Sequence, residues 1–468
     1  EKLVQDVHYR DSIREPMNDF FRFQNKALIS ATPIVPEKDS RFDGFMRVLI
    51  QPDYIYRQKL KLITTNNVLE TLQEVIEAKR GTVCIFCNSI DSIDSFYRLI
   101  PELSNACTFC SEDGQYKLWK GNRRKKSMMI TELERYNFFT SRFYSAVDIL
   151  CKNPPHVIFV SDLYGAAQSV IDPATEAIQI IGRFRGGVNS VTHIASIRPE
   201  LECMSSSEID HWIQGASTIF NGWKAQLART TNIGERTLLQ EAIGENSYLP
   251  YLDENGKPDS FLIANFYEKE QVKHLYTSAD LLHLAYEQTG YFVFSHEERL
   301  MPVSDNERMA IQHRLAKKKR AELIVRKLEE MEKMSRTTDK KIQKRYQRML
   351  MNLITSTADR YIYDCFCRFG AKFVREADYN ENKLRTALNV SSEHTIKKSG
   401  QMRTYIQRAF PVGAEISVQE AKSMLRQVYK KMGLNTGRGI TTKELEQYAE
   451  IENSRNREAR MIKILKHK

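Results

Sequence analysis

Apolar positions recur at two different spacings along the chain, and the change from one to the other divides it. Between about residues 51 and 200, short apolar runs alternate with segments of helical period. Residues 82–88, 106–109, 136–141, 156–161 and 191–196 read as strands, and 90–100 and 173–184 as helices. Asn67 to Lys79 places Leu69, Leu72 and Ile76 on one helical face and ends before Gly81, a stop signal. Strands alternating with helices predict an α/β domain built on a mainly parallel sheet covered on both faces. Ahead of it, Tyr9 to Phe23 reads as a helix, and Asn25 to Ile34 as a strand that runs into Ser30-Ala31-Thr32-Pro33.

Past residue 200 the alternation stops. Ser205 to Ala228 is expected to be a helix with Trp212, Ile219, Phe220 and Trp223 as its apolar positions. Residues 201–304 form a mixed accessory region whose aromatics Tyr286, Tyr291, Phe292 and Phe294 read as core before they read as base-stacking surfaces. A basic helical segment is expected over 305–357 and a helical C-terminal domain over 358–468. In that domain Tyr361, Phe366, Phe369 and Phe373 share a core face. Ser417-x-x-Glu420 is a capping box with Ile416 as staple, opening a helix with Ala421, Met424, Leu425, Val428 and Met432 inward and Gly433 as its stop. Thr441-x-x-Glu444 is expected to open a second helix, Thr442 to Ile451, which makes residues 410–450 a candidate helix-turn-helix or winged-helix unit. Its own charges, Glu444, Glu446 and Glu450 against Lys443, suit phosphates poorly, so Arg426, Lys430, Lys431 and Arg438 are the better phosphate ligands there.

Charge changes the picture once it is located. The formal net charge is +11, and residues 308–348 hold 15 Lys or Arg against 5 Asp or Glu. That segment accounts for nearly all the excess. Its apolar residues (Ile311, Leu315; Ile324, Leu328, Met331; Ile342, Tyr346, Leu350) keep helical spacing, predicting a long helix or helical hairpin whose basic face, with Lys317, Lys318, Lys319 and Arg320, is a candidate nucleic-acid contact. The cysteines offer two CxxC pairs, Cys84/Cys87 and Cys107/Cys110. Both fall in apolar strand-like runs, where positions i and i+3 point to opposite faces, so no metal site is expected from them. No apolar run approaches the roughly 18 residues needed to span a bilayer, and residues 1–14 lack a secretory pattern. A cytoplasmic protein with no membrane association is expected.

The chemistry concentrates in Gln179-Ile-Ile-Gly182-Arg183-Phe-Arg185. Two permanently charged, planar guanidiniums beside a glycine suit a phosphate chain, the glycine being expected to let the backbone turn tightly. With this segment, Ser30-Ala31-Thr32, the strand ending in Asn88 and Ser89, and Thr140-Ser141-x4-Ala146-x-Asp148 stand in the order of motifs in superfamily-two nucleic-acid helicases. The chain resembles the C-terminal portion of such an enzyme, whose ATPase core is two RecA-like lobes. The resemblance covers roughly residues 1–200. It implies that residues 1–50 end the first lobe and 51–200 form the second. It further implies that Ser30, Ala31 and Thr32 couple nucleotide state to nucleic-acid movement, that Asn88, Ser89, Thr140 and Ser141 touch nucleic acid, and that Gly182 and Asp148 approach the nucleotide. Gln179, Arg183 and Arg185 would serve catalysis, the arginines reaching the terminal phosphate. A compact G-R-x-R ending is also similar to replication helicases of phages and mobile elements.

Two positions depart from the pattern. Ala146 stands where a glycine is usual, a change expected to preserve the turn only if its φ is negative. Gly186 stands where the final arginine should fall, with Arg185 one place early, which leaves open whether Arg183 or Arg185 is the arginine finger. No G-x-x-x-x-G-K-[ST] occurs, since Gly256-Lys257 is followed by Pro258, and Asp253-Glu254 lies in a polar loop. The expected cofactors, ATP and Mg2+, would therefore be held mostly by a first lobe preceding Glu1, itself an expected partner beside nucleic acid (DNA over RNA) and replication proteins. Two functions fit: part of an ATP-dependent helicase or translocase, inactive alone, or a non-catalytic nucleic-acid-binding or loading module that keeps a helicase lobe as scaffold.

Overall fold

A computed structural model describes residues 2–7, 11–36, 38–50, 53, 56–119, 125–130, 132–311, 315–334, 340–434, 436, 440–455 and 459–468. The chain forms two compact units, Glu1–Met309 and Ala310–Lys468.

The first unit is organised by strands β1 (Gln58–Thr65), β2 (Val83–Phe86), β3 (Cys107–Phe109), β4 (Lys125–Ser127), β5 (Tyr136–Phe139), β6 (His156–Ser161), β7 (Ser190–Ser196) and β8 (Phe292–Arg299). They form one eight-stranded sheet in the order β4-β3-β5-β2-β6-β7-β1-β8, and every pairing is parallel. Strands β2, β5, β6 and β7 are buried along nearly their whole length because both faces are covered. One face carries Leu60, Leu62, Phe86, Phe139 and Phe159 with Ala177, Ile180, Tyr276, Leu282 and Tyr286 from three helical segments. The other packs Ile63, Ile85, Phe138 and Ile158 under the helices Val68–Glu77 and Ile90–Leu99. Each fully buried Phe or Leu contributes roughly 1.5–3 kcal/mol relative to exposure, so these two layers hold the unit together. The cysteine pairs divide as strand alternation requires. Cys84 and Cys107 lie on the first face, and Cys87 and Cys110 on the second.

Helix ends follow their local signals. Asn67 caps its helix by accepting from the Glu70 amide at 2.9 Å, and Gly81 takes a left-handed φ of 92° beyond it. Under the sheet's first face, His193 shares hydrogen bonds with Tyr286 (2.8 Å) and Ser161 (3.1 Å), and Ser161 with Tyr276 (3.1 Å). Burial holds His193 neutral and pushes its pKa down to about 3. The Tyr276 hydroxyl donates to the Ile171 carbonyl (2.7 Å) and accepts from the Ile171 amide (2.9 Å), which fixes the loop leading into the helix Glu176–Gly182.

Four expectations change. The segment 25–34 forms no strand. Among the described residues no strand lies beside it to bond with, and Ile29 stands 94% exposed. The helix expected over 9–23 shrinks to Glu15–Phe20, preceded by a 3-10 turn Asp11–Ile13, with Tyr9 outside the described residues. The sheet extends well past residue 200. β8 pairs along the whole length of β1, so the region expected to be accessory supplies an edge of the same sheet, and the aromatics Tyr286 and Phe292 are buried in its core. Within the helix Ser206–Arg229, Phe220 is buried whereas Ile219 is exposed.

The second unit opens with the helices Lys317–Met334 and Lys340–Ser356, the expected basic hairpin, with Ile324, Leu328, Tyr346 and Leu350 buried; Ile342 lies outside the side chains described. Helices Arg360–Glu376, Glu381–Lys397 and Gly400–Ala409 follow. Tyr361 and Phe366 are buried, while Phe369 and Phe373 are half-buried and pack on each other at 4.7 Å. Strand β9 (Glu415–Ser417) then runs into the helix Val418–Lys431, with the Ser417/Glu420 capping box formed and Gly433 at φ 69°. The expected helix over 442–451 is absent. Residues Thr442–Gln447 make a 3-10 turn and the chain continues as β10 (Ala449–Arg455) and β11 (Arg460–His467), in the sheet order β10-β11-β9. Thr441 makes no side-chain cap, the Glu444 amide bonding the Thr441 carbonyl (3.1 Å) in the 3-10 turn, and the Glu444 carboxylate is taken by Lys397 (2.9 Å) and the Tyr429 hydroxyl.

Candidate functional site

In a parallel sheet all carboxyl ends lie at one edge, where irregular loops present polar groups. β2 ends there at the half-buried Asn88 and at Ser89. Ser89 is spent structurally, capping the helix Ile90–Leu99 through the Ser92 amide at 3.1 Å. β5 ends at Thr140, which is buried; its amide bonds the Phe109 carbonyl at 3.1 Å. Ser141 is half-buried at the start of a 3-10 turn. Asp162, at the end of β6, sits beside them, accepting from Ser92 (3.1 Å) and the Gly165 amide (3.0 Å). Sequence reasoning missed this carboxylate. The signal was available, an aspartate one residue past the apolar run 157–160, with Ser161 between. Asp305, also missed, is buried near it with Arg308 at 3.1 Å, and burial pushes its carboxyl up to about 6 against the pull of that arginine.

The loop after β5 and the helix Glu176–Gly182 are locked together. The Ile149 amide donates to the Arg183 carbonyl at 2.9 Å. The half-buried Arg183 guanidinium donates to the Gln179 carbonyl (2.9 Å), to Gln179 Oε1 (3.2 Å) and to the Val147 carbonyl (3.4 Å). Arg185 stands outside this mesh. Its Nε meets Asp148 Oδ1 at 3.0 Å, with 64% of the arginine and 49% of the aspartate side chain exposed. The third sequence element also reaches this point, since Gln179 Nε2 donates to Thr32 Oγ1 at 2.9 Å. Thr32 is buried, and its amide bonds Ser30 Oγ at 3.1 Å. Segments 147 residues apart in sequence thus meet through one glutamine. Ser30 and Ala31 are exposed beside this contact.

Two backbone expectations are corrected. Ala146 has φ 59°, so the glycine-like left-handed turn is kept and the alanine bears its strain. Gly182 makes no tight turn. It is the last helical residue, with open space where a Cβ would be, and the left-handed turn comes at Gly187, φ 78°. Ala146 and Asp148 border a cleft of about 400 Å³ that Arg142, Lys2 and Asp6 also line. In the same loop the buried Tyr144 hydroxyl and Ser145 Oγ have no hydrogen-bond partner.

The basic quartet is less available than its sequence suggests. Lys317 pairs with Glu381, Lys318 with Asp378 at 2.7 Å, and Arg320 with Asp359 at 2.6 Å, which leaves Lys319 exposed. Among the described residues no group of three or more His, Cys, Asp or Glu is placed to hold a metal, and no helix is long and apolar enough to cross a membrane.

No protein-family model and no curated protein matches the chain.

Proposed function

We propose that the chain is the C-terminal part of an ATP-dependent nucleic-acid helicase or translocase acting on DNA. The observation that carries this reading is the meeting of three separated segments at one place: Thr32 on Gln179, Arg183 on the loop before Asp148, and Arg185 on Asp148. Phosphoryl transfer is catalysed mainly by positioning and charge stabilisation, so a held arginine beside a mobile one is a useful pair. Arg183 braces the loop. Arg185, exposed and held by one carboxylate, is free to turn toward a terminal phosphate, and Asp148 would then be released to the nucleotide. ATP would supply the energy of closure. The residues here suit only one side of such a ligand, because residues 1–468 contain no phosphate cradle of the G-x-x-x-x-G-K-[ST] type, and that cradle and the Mg2+ ligands would have to come from outside them. The Gln179–Thr32 bond would transmit closure to the segment bearing Ser30 and Ala31, and the carboxyl-edge residues Asn88, Thr140 and Ser141 would meet the nucleic acid. Replication of a phage or mobile element is the setting the compact arginine motif suggests.

The test is ATP hydrolysis by the complete natural polypeptide with and without DNA. Turnover that rises on adding DNA is expected; absent or DNA-indifferent turnover sinks the proposal.

A further inference from the structure

On the helix Lys317–Met334, the first of the basic hairpin, Lys317, Lys318, Arg320, Arg326 and Lys327 pair with carboxylates, whereas a basic face further along the chain is not neutralised in this way. Lys422, Arg426 and Lys430 stand at i, i+4 and i+8 on the helix Val418–Lys431, with Lys431 beside the last. Among the described residues none of these four has an ion-pair partner. The exposed positions between them, Ser423 and Gln427, are uncharged. Like charges four residues apart weaken a helix by roughly 0.2–0.5 kcal/mol per pair, so the row costs stability in the free protein. The β10–β11 hairpin repeats the pattern. Arg455 and Arg460 face each other directly across the strands, both are exposed, and neither has an ion pair among the described residues. Like charges at that position are also unfavourable.

These two features adjoin. β9 pairs Ser417 with Met461, which sets the hairpin's far end beside the first turn of the helix. Strand alternation puts Arg455 and Arg460 on the same sheet face as Ile462 and Ile464, which pack against Ala421, Leu425 and Val428 of that helix. The cations thus continue past the apolar core on the side the helix covers.

We propose that this surface docks the phosphate backbone of duplex DNA, without reading its sequence. The three helical cations step along the axis by about 6 Å each and span roughly 12 Å, a rigid line matched to a rigid row of phosphates. Duplex is favoured over single strands because single-strand grooves use exposed aromatic platforms. Here Phe410, Tyr429 and Tyr448 are buried, and among the described residues of 400–468 the large exposed apolar ones are Val412 and Leu465. A membrane surface would need the apolar side of the helix outward, yet that side is the core. Sequence-independent contact follows from the 3-10 turn Thr442–Gln447, which supplies no helix to enter a groove and whose Glu444 is engaged internally. The inference stands apart from the ATPase reading and needs no nucleotide.

The experiment is fluorescence anisotropy of the 468-residue chain with labelled duplexes of two unrelated sequences, across a salt series. Both duplexes should bind alike. The triple variant K422Q/R426Q/K430Q should weaken binding about tenfold or more and flatten the log–log salt slope by about 0.9 per lost contact. R455Q/R460Q should flatten it further, and K317Q/K318Q should leave it unchanged. All are surface changes, and an unaltered melting midpoint verifies folding; should the triple variant melt early, R426Q alone carries the test with a slope change of about 0.9. Unchanged affinity and slope in folded variants, preference for single strands, or binding to phosphatidylserine vesicles but not to duplex would each overturn the proposal.

Discussion

Replacing Arg185 and Arg183 in turn by alanine should produce different failures, and the sizes follow from how each is held. Arg185 makes one contact, to Asp148, with both side chains half or more exposed. A pair of that kind is worth about 0–1 kcal/mol, which is at most about fivefold in rate at 1.36 kcal/mol per decade. Its loss cannot by itself stop an enzyme. If Arg185 reaches the terminal phosphate in the closed state, however, R185A removes a stabilisation of the transition state on the scale of an arginine finger, about 10³–10⁵ in turnover. Arg183 donates to two oxygens of Gln179 in the helix Glu176–Gly182 and to the Val147 carbonyl of the loop before Asp148. Removing it should cost about 1–3 kcal/mol of stability and lower the melting midpoint by a few degrees, because the Gln179 and Val147 oxygens lose their partner.

DNA-stimulated ATP hydrolysis by the complete polypeptide, with thermal melting of the same preparations, separates the two. R185A should melt normally and lose turnover about a thousandfold or more. R183A should melt early and lose turnover through disorder of the loop. D148A should change turnover by no more than about fivefold while raising KM if its carboxylate meets the nucleotide. An R183A protein that melts normally but is dead, beside an active R185A, would exchange the two roles. Near-normal turnover in both would refute the assignment of this segment as a phosphate-reaching motif.

Three further outcomes are expected. Ala146 adopts φ 59° in an exposed position, so A146G should relieve about 1–2 kcal/mol of left-handed strain against about 0.5–1 of added chain entropy and melt at the same temperature or slightly higher, whereas A146V should melt lower; a glycine variant destabilised by more than about 1 kcal/mol would contradict the backbone argument. T32V and Q179L, combined in a double-mutant cycle on denaturant unfolding, should show a coupling of about 0.5–1.5 kcal/mol from their shared hydrogen bond, and zero coupling would mean the two segments are not docked in solution. Burial lowers the His193 pKa to about 3, so its contribution to stability is intact above the unfolded value near 6.5 and is lost as pH falls toward 3, at about 1.4 kcal/mol per pH unit; H193Q should flatten that acid limb, and an identical pH dependence in the variant would show that another group titrates there.

Strands β2, β3, β5, β6 and β7 were legible because both their faces are buried, which leaves an apolar run in the sequence; β1 was not foreseen, its run being broken by the exposed Lys59 and Lys61. β8 was not, and the reason is its position at the sheet edge. Of Phe292–Arg299 only Phe292 is buried, and Ser295, His296, Glu297, Glu298 and Arg299 read as loop chemistry although they pair with β1 throughout. Residues 25–34 erred the other way, since Leu28 and Ile29 have strand character but, among the described residues, no strand lies beside them. The motif residues at 140–148 and 179–185 could be found by eye because each cluster is local. What ties the second of them to the Ser30–Thr32 segment, the hydrogen bond from Gln179 to Thr32, spans a separation no local pattern reports.

Charge shows the same boundary most clearly. Lys317, Lys318 and Arg320 form the densest basic cluster in the sequence, yet their carboxylate partners Glu381, Asp378 and Asp359 come 39 to 64 residues later. A local count cannot see that cancellation, and it inflates the apparent phosphate face of the hairpin. The row Lys422, Arg426, Lys430 is sparser and attracts less notice, but its only neighbouring acid on the helix, Glu420, is held in the capping box by Ser417. Whether a cation is available to a phosphate depends on what else reaches it, so the weaker cluster in the sequence is the stronger one in the fold, and salt dependence, which counts the contacts a surface makes with phosphates, is the measurement that decides between them.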